Sequence, residues 1–181
     1  MTQPSPGGRP SYPRRALIGL VVALAGSAVL GLAAGLAWSE IAPRAVLQEI
    51  SAGTAEVVNA ETRAFIGADG WYCVIAAVAG LLTGIIGYLA GIARRDAGTR
   101  IAVTVGLIGG AVAGAFVMLW LGQQIGLGSY QHHLADGAVG STFSSSLALG
   151  AKSALAFWPL LTSLVIVLAE VSRSKERDAH P

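Results

Sequence analysis

The sequence predicts an all-α integral membrane protein: a four-transmembrane-helix bundle of two helical hairpins, with a small extracytoplasmic β-hairpin. Three observations predict it. Hydrophobic residues make up 54% of the 181-residue chain and charged residues only 12%, where a soluble domain carries about a quarter charged. Mean hydropathy is +0.64. Four apolar runs, 16–38, 71–93, 101–121 and 148–169, are each long enough to cross roughly 30 Å of hydrocarbon, and the basic residues cluster on one side of them.

Residues 1–15 read as a disordered cytoplasmic tail, with four prolines and a Gly7-Gly8 pair before Arg14-Arg15. The first span, 16–38, is longer than the roughly 7–15 apolar residues of a cleaved signal peptide. It is therefore read as an uncleaved membrane helix, although the paired arginines also suit a twin-arginine export signal.

The loop 39–70 is too polar to span and too long for a bare connection. The runs 45–50 and 55–58 flank Ser51-Ala52-Gly53-Thr54, which predicts the β-hairpin. A lone hairpin is marginal in water, so it should lean on the bundle or the bilayer surface. The stretch Ala64-Phe65-Ile66-Gly67-Ala68-Asp69-Gly70-Trp71 marks re-entry into the membrane. Asp69-Gly70 is a turn signal, or Asp69 is an N-cap for a helix starting near Trp71. Trp71 and Tyr72 should lie at the headgroup level. Phe65, Asp69 and Trp71 are the candidates for contact with a ligand or partner.

The second span, 71–93, turns through the basic segment 94–100 into the third, 101–121. A Gly- and Ser-rich outer loop, 122–147, carries His132, His133 and Asp136. The fourth span, 148–169, leads to a charged cytoplasmic tail, 170–181. Arg9, Arg14, Arg15, Arg94, Arg95, Arg100, Arg173, Lys175 and Arg177 all fall on one side, against Arg44 and Arg63 on the long loops. Lys152 can snorkel outward from its span end. By the positive-inside rule this is a multi-pass plasma-membrane protein with both termini cytoplasmic. Trp38 and Trp120 then end the two outward-going spans, at the outer interface.

Small residues at a spacing of four supply a packing code. Ser27, Gly31 and Gly35 mark the first helix; Gly80, Gly84, Gly87 and Gly91 the second; Gly106, Gly110 and Gly114 the third. In lipid there is little hydrophobic drive between helices, and glycine lets two backbones approach closely. The faces serve packing within one chain, or the 106–114 face is the seam of a homo-oligomer or meets a partner helix. Trp158-Pro159 predicts a bend midway along the fourth span.

Chemistry has few places to reside. Lys152 and Glu170 lie at opposite ends of one span. The spans otherwise offer hydroxyls such as Ser27, Thr83, Thr104, Thr162 and Ser163, which weighs against an ion-coupled transporter. His132 and Asp136 share a face if their segment is helical, a spacing compatible with a metal, and His133 adjoins them. Two ligands do not make a zinc site, and Asp69 or Glu61 would have to complete it. No metal or cofactor is assigned. The single cysteine, Cys73, excludes an intrachain disulfide and any CxxC pattern. HExxH, GxSxG and P-loop motifs do not occur. A net charge of +2 is too small to argue for nucleic acid.

The first span ending in Trp38, the 64–71 stretch, the basic inner turn, the Gly-rich third span and Phe157-Trp158-Pro159-Leu160-Leu161 together resemble a family of uncharacterised four-helix membrane proteins of actinobacteria, a domain of unknown function. The resemblance covers roughly residues 16–169 and implies no activity and no catalytic residue. The functional expectation is a non-enzymatic accessory or interaction protein of the cell envelope. Its partners would be membrane lipid and another membrane or envelope protein. The alternatives are a small transporter or channel subunit, a lipid-binding membrane protein, or a membrane enzyme using the outer His/Asp group.

Overall fold

The computed structural model describes residues 12–51, 53–59, 63–92, 97–136 and 138–179. In chain order the elements are α1 (Tyr12–Ile41), β1 (Val46–Ser51), β2 (Thr54–Val57), α2 (Ala64–Gly87), α3 (Ala97–Gln124), α4 (Leu127–Asp136), β3 (Thr142–Ser144) and α5 (Phe157–Ala179). A π turn, Tyr88–Ile92, extends α2, and a 3-10 turn, Lys152–Ala156, leads into α5. Four helices, α1, α2, α3 and α5, are long and apolar enough to cross a membrane. The sheet and α4 lie at one end of the bundle, the sheet end. The start of α1 and the end of α5 lie at the other, the tail end.

The helices overrun the apolar runs. α1 already begins at Tyr12, inside the segment read as disordered, of which residues 1–11 lie outside the described part. α2 begins at Ala64 rather than at Trp71, and α5 continues through the charged tail to Ala179. Hydropathy reports how much helix suits hydrocarbon, whereas the hydrogen-bonded ladder continues through any good helix former. The fourth span departs in the other direction. Residues 145–151 are irregular, and regular α-helix starts only at Phe157. Pro159 therefore stands in the first turn of α5, where its missing N–H is not needed.

The principal pairings are α1 with α3 and α2 with α5, not the sequence-adjacent hairpins. Glycine sets both. A Cβ on Gly31 would stand 2.6 Å from the Gly114 carbonyl oxygen, and one on Gly35 2.9 Å from that of Met118. From the α3 side, a Cβ on Gly106 would lie 3.0 Å from Leu20 Cα, one on Gly110 2.7 Å from Ser27 Oγ, and one on Gly114 2.9 Å from the Ser27 carbonyl. The 106–114 face is thus covered by α1 of the same chain. On the second pair, a Cβ at Gly80 would meet the Trp158 carbonyl at 2.6 Å, and one at Gly84 would meet Val165 Cβ at 2.7 Å.

Buried aromatics tie the pairs together. Trp38 and Tyr72, expected at the interface, are fully buried, as are Met118 and Trp158. The Trp38 ring fills the space that a side chain on Gly122 would take. It meets Tyr72 edge-on at 5.3 Å, and its Nε1 donates to the Ala68 carbonyl at 2.8 Å. Tyr72 donates to the Ala115 carbonyl at 2.7 Å, linking α2 to α3. Trp158 Nε1 donates to Thr83 Oγ1 at 3.1 Å, and Thr162 to the Gly80 carbonyl at 3.1 Å, linking α5 to α2. Each polar tip is satisfied internally, as burial requires. Trp71 and Trp120 remain exposed. Ser27 Oγ is the exception on these faces: it is buried with no hydrogen-bond partner among the described residues.

We predict that Gly31→Leu and Gly110→Leu each destabilise by about 1–3 kcal/mol or more through overpacking against backbone. Ser27→Ala removes an unpartnered oxygen and should leave the thermal midpoint unchanged or raised. Melting curves in one detergent test both. A wild-type midpoint for both leucine variants would refute the packing assignment.

Candidate interaction surface at the sheet end

The hairpin is part of a larger unit. β1 pairs antiparallel with β2 and, on its other edge, with β3, giving the order β2-β1-β3. The third strand arrives from the segment read as an outer loop, because Leu47 pairs with Phe143 and both are buried. Gly53, at φ 73, turns the hairpin. Strand alternation gives the sheet two unlike faces. Ala45, Leu47, Glu49 and Phe143 point inward, while Val46, Gln48 and Ile50 point outward.

α4 covers part of the inner face. Tyr130 lies against Phe143 at 5.8 Å, and His133 stacks on the same ring at 5.5 Å with planes 17° apart. His133 is therefore held by ring packing. His132 is exposed one residue earlier. Asp136 closes α4, but its side chain lies outside the described part, as does Glu61. Among the described residues no three His, Cys, Asp or Glu side chains converge on a metal-sized site.

Asp69 neither turns the chain nor caps its own helix. It lies in the second turn of α2, and its carboxylate accepts from the N–H groups of Gly150, at 2.9 Å, and Ala151, at 2.8 Å. These are the donors just before the 3-10 turn that opens the fourth span. A carboxylate is suited to helix-start N–H groups for both hydrogen-bond and dipole reasons. Here it comes from another helix. Arg44 makes a second tie, donating to the carbonyls of Ser39 at 3.2 Å and Ile125 at 3.4 Å. Its guanidinium lies where a side chain on Gly126, at φ 88, would stand. Pro43 packs on Gly67, where a Cβ would be 2.8 Å from Pro43 Cγ. Together these contacts fasten the sheet to the ends of α1, α2 and α3.

Two apolar groups remain exposed on this locked end. Phe65, Ile66 and Trp71 are exposed on the first turns of α2, and Val46, Ile50 and Val58 on and beside the outer face of the sheet. Of the three contact candidates, Phe65 and Trp71 are thus available, whereas Asp69 is engaged within the chain. Glu49 is the residue the sequence reading passed over. It is only 1% exposed; one carboxylate oxygen accepts from Gly53 N–H at 3.3 Å, and the other has no partner among the described residues. Its place in the alternation Ala45, Leu47, Glu49 was the available signal. Among the described residues the site offers apolar side chains and strand edges for recognition.

We predict that Asp69→Ala lowers stability by about 0.5–2 kcal/mol, the range for losing a helix-start cap. Asp69→Asn should restore part of it, and Phe65→Ala should leave the melting midpoint unchanged. Equal midpoints for Asp69→Ala and wild type would remove the capping role. Comparison with protein-family models, with curated proteins and with solved structures gave no significant match.

Proposed function

We propose that this chain is a multi-pass integral protein of the plasma membrane, with both termini cytoplasmic, that acts by associating with another membrane or envelope protein. The observation that carries the reading is the two-faced sheet. Its inner face is packed on α4 and the bundle end, while its outer face presents Val46 and Ile50, each about half exposed, on a framework fastened by Asp69 and Arg44. Exposed apolar side chains on a rigid element are the usual nucleus of a protein contact. Phe65 and Trp71 extend the apolar surface along α2, at a level that also suits the headgroup region.

The orientation is supported by the charge distribution. Arg14, Arg100, Arg173 and Lys175 lie at the tail end, whereas Arg44 and Arg63 lie at the sheet end, with Arg44 engaged in carbonyl contacts. The resemblance to uncharacterised actinobacterial four-helix proteins agrees with this organisation and contributes no activity.

The test is purification from native membrane in lipid particles, with mass spectrometry of what accompanies the protein. We predict one stoichiometric partner protein. Ile50→Asp should reduce its recovery about ten-fold or more, as loss of a central apolar contact does, with an unchanged melting midpoint. Particles holding only this chain and lipid would refute the association.

A further inference from the structure

The tail half of the bundle contains a groove of about 430 Å³ between α1 and α2, floored by α3. α1 supplies Ile18, Val22 and Gly26, α2 supplies Leu82 and Ile86, and α3 supplies Leu107. The volume falls within the roughly 300–1,000 Å³ of small-molecule sites. It remains open because the wall facing it is built in part from residues without bulk. A Cβ on Gly26 would meet nothing within 4 Å, in contrast to the tight glycines of the helix seams. The π turn after α2 shapes one edge: Tyr88 donates to the Ala169 carbonyl of α5 at 3.3 Å, while Ala90 in the same turn lines the groove.

The groove has a direction. Its α1 wall runs from Leu30 to Ile18, roughly 18 Å at 1.5 Å per residue. Gly26, Val22 and Ile18 follow one another at the four-residue spacing of a helix face, and the next position on that stripe is Arg14. Arg14 is exposed, one turn beyond the apolar wall. Arg100, at the same end of α3, is already paired with Glu170. The groove is thus a linear apolar slot, and the exposed Arg14 stands one helix turn beyond its tail end on α1. This geometry matches an anionic amphiphile with one long chain, since a guanidinium binds phosphate oxygens in a bidentate manner.

We propose that the groove holds one acyl chain of an anionic phospholipid, with the phosphate at Arg14. The inference rests on reading the four helices as membrane-spanning, but not on any protein partner. With the termini cytoplasmic, the mouth opens in the leaflet where anionic lipid gathers basic side chains. The site holds a lipid in place beside the bundle, and no chemical step is involved.

The test uses the full chain in detergent, freed of lipid. It is then offered phosphatidylglycerol or phosphatidylcholine carrying a photoreactive diazirine in one acyl chain. The expected result is one phosphatidylglycerol per chain by native mass spectrometry, with cross-links on 18–30 and 82–90. Arg14→Gln should weaken phosphatidylglycerol retention about five-fold, the worth of one basic residue at a lipid surface, and should abolish the preference over phosphatidylcholine. Gly26→Trp fills the slot from a position with open space and should remove the cross-links from both segments. Gly26→Leu, a smaller filling, should reduce them and serves if the tryptophan variant does not fold. Equal labelling by the two lipids in the wild type would overturn the proposal, as would wild-type cross-linking in a folded Gly26 variant. Protein released from membranes by an alkaline wash would instead overturn the membrane-spanning reading itself.

Discussion

Where Gly31 of α1 lies against the Gly114 carbonyl of α3, two helix backbones touch with no side chain between them. The same contact recurs between Gly80 of α2 and the Trp158 carbonyl of α5. Helices this apolar would, in lipid, associate through the number of atoms at van der Waals distance and not through expulsion of water. Each glycine brings two helices close enough for their whole facing surfaces to interlock. The α1–α3 and α2–α5 pairs follow from this, and with them the position of every other element.

Close pairing leaves the two pairs to be joined, and the joints are aromatic. Trp38 and Tyr72 donate their polar hydrogens across the two pairs, whereas Trp158 donates within the α2–α5 pair and reaches α3 with its ring, against Gly114. The acceptor carbonyls of Ala68 and Ala115 are helical, so each takes a second hydrogen bond on a spare lone pair. The main buried cluster, built around these rings and Met118, is joined by a smaller one of Val103, Leu107 and Ile166. Val103 and Leu107 belong to that smaller cluster and also line the groove. The groove therefore lies beside the smaller cluster, while the surface fastened by Asp69 and Arg44 lies at the opposite end.

That asymmetry relates the two functional readings. A docking face gains from rigidity, because ordering it on binding costs less. The proposed lipid slot would gain from being open along its length, because a chain could enter it sideways. Asp69 of α2 holds the residues that open α5, while Arg44 and Pro43, at the start of the sheet, hold it to the ends of α1 and α3 and to Gly67 of α2.

The chain by itself determined the four apolar helices, the first β-hairpin and the small-residue stripes, since each is written in residues close in sequence. Their periods of two, four and twenty or so residues are local signals. Only the tertiary structure decided which stripes meet, that Trp38 and Tyr72 turn inward, and that residues 142–144 add a third strand. It also decided that Asp69 caps a segment some eighty positions further along the chain. Hydropathy misplaced the ends of α2 and α5 because it measures suitability for hydrocarbon, and a helix ladder extends beyond that. Asp69 misled for a related reason: a carboxylate beside a glycine is equally suited to a turn, to its own helix start and to a neighbour's. The choice between them is made by whichever N–H groups the packed helices bring within reach.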